Sequence, residues 1–205
     1  MEKIWLKQYT EGVPHELFLD PAESLLDLFD NACRRFPDRA AYSNLGTSLT
    51  FGELDDLTVR FAAWLQTEAC LTRGERVAIM MPNLLQYPVA LFGALRAGLV
   101  IVNVNPLYTP RELEYQLINS GARAIVIAST SAATLADVIG ETAVDRVVVT
   151  DIGDLLPFPR RQLVNFVVRH IKRKVPAYRI AGAVGFRQVL ETDPGGFSEQ
   201  RMTGA

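Results

Sequence analysis

The side chains that most often carry catalysis are scarce and scattered in this 205-residue chain. Its two histidines, His15 and His170, lie far apart, and its two cysteines, Cys33 and Cys70, have neither metal-site nor disulfide-framework spacing. The sequence contains no Gly-x-Ser-x-Gly elbow, no Gly-x-x-x-x-Gly-Lys phosphate loop and no Gly-x-Gly-x-x-Gly fingerprint. We therefore predict no catalytic, cofactor-binding or metal-binding residue in it.

Polar side chains follow two consecutive apolar runs that are typical of buried strands. The six candidates are Asn83, Gln86, Tyr87, Asn103, Asn105 and Tyr108. Ligands of parallel sheets bind beyond the carboxyl ends of the strands, so one interpretation places these side chains along a substrate or nucleotide cleft. In the other interpretation, which we favour, they cap helices and hold loops.

Apolar runs alternate with single helical patterns through the middle of the chain. Four runs, near residues 77, 100, 125 and 147, lack polar alternation, which indicates strands that are covered on both faces. The patterns between them predict helices over 84–97, 110–119 and 132–139. This order is typical of βαβ units, so we predict an α/β fold with a mostly parallel sheet and helices on both faces.

Local signals predict where several elements begin and end. Thr50 and Glu53 have the spacing of a capping box at the start of a helix, after a short hairpin over 40–51. Thr109 and Pro110 have the order expected of a cap followed by the first helical residue. Gly121 is expected to end that helix.

The first part of the chain is predicted to be an extended arm over 1–21 followed by a helix over 22–35. Trp5, Tyr9 and Phe18 are expected to hold the arm against a neighbouring surface. The apolar side chains that recur at helical spacing in the helix are Leu25, Leu28, Phe29 and Ala32.

The charge pattern changes after Asp154, because no acidic residue occurs between it and Glu191. We predict an amphipathic segment over 155–191, called the basic segment below. One interpretation packs its apolar face on the domain and leaves the charged face in water, and a second, equally supported, lays the segment on an anionic membrane. The predicted membrane-contacting residues are Arg160, Arg161, Phe166, Val167, Arg169, Ile171, Lys172, Arg173 and Lys174.

Overall composition is that of an ordinary globular domain, with 49% hydrophobic residues, 21% charged residues and a net charge of −2. This slightly acidic balance argues against a nucleic-acid partner. The start of the chain has no signal-peptide pattern, and Arg96 and Gly98 interrupt the most apolar stretch, 87–104, so we expect a buried helix and strand there. A cytoplasmic protein, peripheral on the inner face of the cytoplasmic membrane, is the expected location.

The predicted organisation has four parts. An amino-terminal arm covers 1–21, and an α/β subdomain covers 22–154. The basic segment, 155–191, belongs to the same domain. A Gly-rich and polar stretch over 192–205 is predicted to be a disordered tail.

Several runs resemble one enzyme superfamily. These are Ser48–Leu54, Val77–Asn83, Tyr87–Gly98 and Val102–Leu113. Together they resemble the amino-terminal half of adenylate-forming enzymes, the AMP-binding superfamily of acyl-CoA synthetases, luciferases and peptide-synthetase adenylation domains. Two of these stretches, Met81–Pro88 and Asn103–Thr109, are most similar to the corresponding stretches of bacterial long-chain fatty acid–CoA ligases.

The resemblance implies ATP-dependent activation of a long-chain fatty acid through an acyl-adenylate, with Mg²⁺ and coenzyme A. It also implies that the ATP-phosphate loop, the magnesium-site glutamate and the catalytic lysine lie beyond these residues. We therefore expect an amino-terminal portion that is inactive by itself, with a membrane surface and a homodimer as further partners. Two alternatives stay open: a non-enzymatic lipid- or partner-binding protein, and a ligase for another acyl or aryl acid.

Overall fold

The computed structural model describes residues 2–16 and 23–200. Phe18 and the predicted start of the first helix lie outside the described residues. Strands β1 (Ala40–Asn44) and β2 (Thr47–Thr50) form the predicted antiparallel hairpin. The remaining strands of the described residues form one parallel sheet in the order β4-β3-β5-β6-β7. They are β3 (Arg76–Met80), β4 (Val100–Asn103), β5 (Ala124–Ala128), β6 (Arg146–Thr150) and β7 (Val184–Gly185).

Helices follow most of the strands. They are α1 (Leu25–Arg35), α2 (Phe51–Thr67), α3 (Gln86–Arg96), α4 (Pro110–Ser120), α5 (Ala132–Ala136), α6 (Arg160–Phe166) and α7 (Phe186–Val189). Short 3-10 turns occur at Ile4–Gln8, Ile139–Glu141 and Pro194–Gly196, and a π-helical turn, Val167–Ile171, continues α6. Within the described ranges, no helix combines the length and the apolar character that a membrane crossing requires.

The predicted helix ends are confirmed by hydrogen bonds. The Glu53 amide donates to Thr50 Oγ1 over 3.1 Å, and the Thr50 amide donates back to the Glu53 carboxylate over 2.8 Å. The same reciprocal arrangement joins Thr109 and Glu112 ahead of α4. Gly121 ends α4 with φ +63°, a conformation that costs glycine little.

Helices cover both faces of the parallel sheet at β3, β5 and β6, which confirms the predicted α/β architecture. The prediction is wrong for β4, which lies at the edge of the sheet and is only partly covered, with Val100 42% exposed. On one face, α1, α2, α3 and α7 enclose a large apolar cluster in which the Phe29 and Phe92 rings stack 3.9 Å apart. On the other face, α4 and α5 pack Leu113, Leu117 and Leu135 against the sheet. All five strands point the same way, so their carboxyl ends form a single edge.

The predicted apolar face of the first helix is partly wrong. Leu25 and Leu28 are exposed, whereas Leu26, Phe29 and Cys33 are buried. Positions 26, 29 and 33 also have helical spacing, and the stacking of Phe29 on Phe92 selects that face. In the arm, Trp5 is 52% exposed and the turn around it buries no residue, so Trp5 does not hold the arm on the domain.

The carboxyl-terminal third differs from prediction in two respects. Strand β7 extends the sheet beside β6 although its two residues give no periodic signal. Residues 192–200, predicted as part of a disordered tail, pack on the domain: Phe197 joins the apolar cluster, and the Gln200 amide donates to the Arg96 carbonyl. Residues 201–205 lie outside the described ranges.

Candidate functional site

The polar residues predicted from β3 and β4 do not form one group. Tyr87 donates its hydroxyl hydrogen to Asn103 Oδ1 over 2.7 Å, which ties the start of α3 to the end of β4. Asn83 and Tyr87 share a surface cavity of about 400 Å³ with the β1–β2 hairpin, and the Asn83 carbonyl accepts from Asn44 Nδ2. These three predicted residues, Asn83, Tyr87 and Asn103, therefore lie along the same part of the carboxyl edge.

The other three candidates lie elsewhere. Asn105 Oδ1 accepts from the Leu107 amide over 3.0 Å and so closes its own turn. Tyr108 is half-buried and lines a surface cavity of about 690 Å³ beside α4. Gln86 contacts the end of β6, on the other side of β5 from β3. The role of the six residues as cleft-lining groups stays a prediction.

Gln86 is the most deeply enclosed of the six, with 1% of its surface exposed. Its amide nitrogen donates to Thr150 Oγ1 over 3.0 Å and to the Asp151 carbonyl over 2.9 Å. A buried amide is stable only when it is hydrogen-bonded, so these contacts fix the first turn of α3 to the end of β6. The strands β3 and β5 lie between α3 and the end of β6 along this edge, and their buried side chains are all apolar.

A polar network that sequence reasoning missed surrounds the end of β6. Ser129, which follows β5, donates its hydroxyl hydrogen to the Asp151 carboxylate over 2.5 Å. The Asp154 carboxylate accepts from Thr150 Oγ1 over 3.0 Å and from the Asp151 amide over 2.8 Å. Ser129 and Asp151 each follow a strand directly, so the rule applied to β3 and β4 would also have found them.

Arg169 pairs with one of the two carboxylates of this network. Arg169 contacts both oxygens of the Asp151 carboxylate at 3.1 and 3.2 Å. Burial raises the pKa of Asp154, although hydrogen bonds from the Asp151 amide and Thr150 oppose that shift. A surface cavity of about 450 Å³ lies beside these side chains and is also lined by Tyr178 and Arg187.

The hydrogen bonds of this network fix the positions of the residues that follow β5 and β6. Asp151 accepts from Ser129 and Arg169, and Asp154 accepts from Thr150 and the Asp151 amide, so both carboxylates hold the turn after β6 in place. Within residues 2–16 and 23–200, no group of three or more histidine, cysteine, aspartate or glutamate side chains is arranged to hold a metal ion. The network orders the carboxyl edge and joins α3, β5, β6 and α6 there.

The predicted membrane-contacting residues lie on α6 and the turn that continues it. Phe166 and Ile171 are 55% and 63% exposed, and Val167 is half-buried. Lys172, Arg173 and Lys174 follow on an exposed turn, where Arg173 has φ +48°. Arg160 donates to the Gly46 carbonyl over 3.0 Å, and Arg169 pairs with Asp151, so these two cations face the domain, while Arg161 is half-buried.

Comparison with known proteins gives a consistent result. The family model described as AMP-binding enzyme matches residues 29–180. Over 93% of its length, the chain is 58% identical to a long-chain-fatty-acid–CoA ligase of Haemophilus influenzae and 53% identical to one of Escherichia coli O157:H7. It spans about a third of the length of these curated relatives, 34% in both cases.

Solved structures agree with the fold. A long-chain-fatty-acid-CoA ligase from Archaeoglobus fulgidus superimposes with a TM-score of 0.68 at 21% identity, over 96% of this chain and 35% of that one. An anthranilate CoA ligase bound to anthranoyl-AMP gives a TM-score of 0.70 at 15% identity, over 90% of this chain and 31% of that one. At these identities the likeness concerns the fold alone.

Proposed function

We propose, from the premise that this chain belongs to the AMP-binding enzyme family, that it supplies the amino-terminal subdomain of a long-chain fatty acid–CoA ligase. The observation that carries the proposal is the identity to curated long-chain ligases, 58% and 53% over the aligned 93% of the chain. The chain covers only about a third of those proteins, so the activity belongs to the complete enzyme.

The proposed reaction has two steps. A fatty acid carboxylate attacks the α-phosphorus of ATP, which gives an acyl-adenylate and releases pyrophosphate. The thiol of coenzyme A then attacks the acyl carbon, which gives acyl-CoA and releases AMP. Both steps move negative charge at phosphates, which proteins stabilise with cations and backbone amides.

We also propose that the described residues do not bind ATP and Mg²⁺ by themselves. The carboxylates at the carboxyl edge, Asp151 and Asp154, already accept hydrogen bonds from Ser129, Arg169, Thr150 and the Asp151 amide. The sequence also has no glycine-rich phosphate loop. We therefore assign no step of the reaction to a residue of this chain, and we propose that its part is to order one wall of the cleft.

A split-enzyme experiment tests this function. The 205-residue chain is purified with and without a second polypeptide that covers the remaining two thirds of the Haemophilus influenzae ligase. With ATP, Mg²⁺, palmitate and coenzyme A, we expect no acyl-CoA from either piece alone and clear turnover from the mixture. Turnover by the 205 residues alone would contradict the argument, and an inactive mixture of two folded, associated pieces would contradict the assignment.

A matched pair of variants sharpens the test. Gln86→Leu removes two buried hydrogen bonds at the end of β6, and Gln188→Leu alters an exposed glutamine elsewhere. At about 1 kcal/mol for each hydrogen bond, we expect the first change to lower the free energy of unfolding by about 2 kcal/mol and, because it loosens the carboxyl edge, to reduce reconstituted turnover. The second change is expected to leave it unaltered.

Two further proposals concern where the enzyme works and how it assembles. We propose that it acts at the anionic inner face of the cytoplasmic membrane, where long-chain fatty acids partition. We also propose a homodimer, for which the exposed side chains of Leu107, Tyr115 and Ile118 offer an apolar face on and beside α4. Light scattering measures the mass directly, and a monomer at micromolar concentration would contradict the dimer.

A further inference from the structure

The helix of the basic segment exposes its largest apolar side chains, while its valines are half-buried. Neither α6 nor the π-helical turn after it contains a buried residue. The exposed side chains form what we call the apolar ridge, whose members are Phe158 (79% exposed), Leu163 (62%), Phe166 (55%) and Ile171 (63%). A surface helix of a globular protein ordinarily turns such side chains towards the core, so this orientation needs an explanation.

Polar contacts hold the helix in this orientation. Asn165 Oδ1 accepts from the Gly153 amide over 2.8 Å, and a Cβ on Gly153 would lie only 2.7 Å from that same oxygen. Arg169 pairs with Asp151, and Arg160 donates to the Gly46 carbonyl. The side of the helix that touches the domain is thus anchored by hydrogen bonds, and the apolar ridge remains uncovered.

Cations follow the ridge directly in the chain. Lys172, Arg173 and Lys174 are exposed, and in the described part of the chain none of them forms an ion pair. No acidic residue lies between Asp154 and Glu191 to neutralise them. The surface therefore combines bulky apolar side chains with uncompensated positive charge, which is the pattern of a helix that lies in a membrane interface.

We propose that this surface docks on an anionic lipid bilayer, with the apolar ridge inserted among the head groups and Lys172, Arg173 and Lys174 paired with lipid phosphates. Charge complementarity favours this occupant over a second copy of the chain, whose own ridge would bring like charges together. The interpretation in which the apolar face packs on the domain does not agree with the exposure of the ridge. The inference rests on the proposed membrane association and names the surface responsible for it.

Vesicle flotation with the full 205-residue chain tests the proposal. Vesicles of phosphatidylcholine alone are compared with vesicles that contain equal parts of phosphatidylcholine and phosphatidylglycerol. We expect binding to the anionic vesicles only, and we expect it to weaken as salt is raised, because the Debye length shrinks from about 10 Å at 0.1 M to about 3 Å at 1 M.

Variants then locate the surface. Phe166→Ser should weaken binding about tenfold, since it withdraws a partly inserted aromatic side chain. Lys172→Gln and Lys174→Gln should each weaken it about fivefold. Leu28→Ser is the matched control, because Leu28 is exposed to a similar extent, 53%, on a helix outside the basic segment. It should not alter binding.

A second measurement separates insertion from loss of folding. Phe166→Trp introduces an indole on the ridge, and lipids brominated near the head group should quench its fluorescence, whereas Leu28→Trp should not respond. Unquenched fluorescence in vesicle-bound Phe166→Trp, or wild-type affinity of Phe166→Ser, would overturn the proposal. Equal binding to neutral and anionic vesicles, or none, would overturn it as well.

The remaining outcomes identify other occupants. If light scattering without vesicles shows a dimer that Phe166→Ser abolishes, the ridge is a contact between copies and the proposal is wrong. If the second ligase polypeptide abolishes vesicle binding on mixing, the ridge is an internal interface and the proposal is again wrong. The vesicle assay uses neither ATP nor fatty acid, so its failure is distinguishable from failure of the proposed ligase function.

Discussion

Gln86 and Asp154 are polar side chains whose surroundings the sequence does not indicate. Gln86 opens a helix that is otherwise almost entirely apolar, and it is buried because Thr150 and the Asp151 carbonyl accept its hydrogens. The Asp154 carboxylate accepts from the Asp151 amide and so closes the turn after β6. Each residue is stable where it lies only because its partners are present, since an unpaired buried polar group costs about 1–3 kcal/mol.

Asp154 should make stability depend on pH. Because burial raises its pKa, the native state binds the proton more tightly than the unfolded chain does. The contribution of this carboxyl is therefore fully present below the ordinary aspartate pKa of about 4 and is lost as pH rises through the raised value. Asp154→Asn removes that slope, so wild type should lose stability relative to the variant over the pH range that begins at about 4.

Urea midpoints of the two proteins across this range provide the measurement. Asp38→Asn, at an exposed position, is the control for the change of an aspartate to an asparagine. A constant difference between wild type and Asp154→Asn would mean that the carboxyl titrates alike in the folded and unfolded states.

At the scale of the element, the close approach of α2 and α3 depends on a missing side chain. A Cβ on Gly93 would lie 2.8 Å from Phe61 Cδ1 and 3.0 Å from the Thr58 carbonyl oxygen. Gly93 therefore lets two helices approach on the side where Phe61 stacks against Phe186, 5.5 Å away. The glycine costs helix propensity, and the packing that it permits offsets this cost.

Gly93→Ala should accordingly destabilise the chain although alanine is the better helix former. Overpacking of a filled core typically costs about 1–3 kcal/mol, which exceeds the roughly 1 kcal/mol gained in propensity. Gly140→Ala is the matched control, because a Cβ at Gly140 meets nothing within 4 Å. Denaturant unfolding compares the two, and an unchanged or raised midpoint for Gly93→Ala would show that Phe61 moves aside freely.

At the scale of the whole molecule, Arg96 joins α1 and α2 to residues 192–200. Arg96 is 5% exposed, and its guanidinium contacts Asp30 on α1 at 2.7 Å, Asp55 on α2, and Glu199 at 3.2 Å. Burial raises the pKa of Asp30 although Arg96 opposes that shift. Residues 192–200 thus form a strap across α2 and α3 that is held by one buried charge and by Phe197.

Removing the apolar contact of this strap should weaken the whole domain. Phe197 is half-buried in the large apolar cluster, so Phe197→Ala should lower the free energy of unfolding by about 2 kcal/mol. Ser198→Ala, whose exposed side chain lies next to it, should leave stability within about 0.5 kcal/mol. Thermal unfolding distinguishes them, and equal melting temperatures would mean that the strap adds nothing to stability.

The local signals in the sequence determined most of the fold. The capping boxes at Thr50 and Thr109, the left-handed glycine at Gly121 and the unbroken apolar runs of β3, β5 and β6 act over a few residues. Interactions of such short range depend on a few neighbouring residues. The secondary-structure elements, the parallel sheet and the family could therefore be predicted from the sequence. The sequence runs that resemble adenylate-forming enzymes also led to the proposed reaction.

Tertiary structure decided what depends on contacts between distant residues. The buried face of α1, the partners of Gln86 and the docking of Phe197 each involve residues far apart in the chain. The basic segment is the clearest case. Its periodicity predicts an amphipathic helix, but the periodicity does not determine which face of the helix packs on the domain. Asn165, Arg160 and Arg169 select the outward orientation through bonds to remote backbone and side-chain groups, which no local pattern encodes.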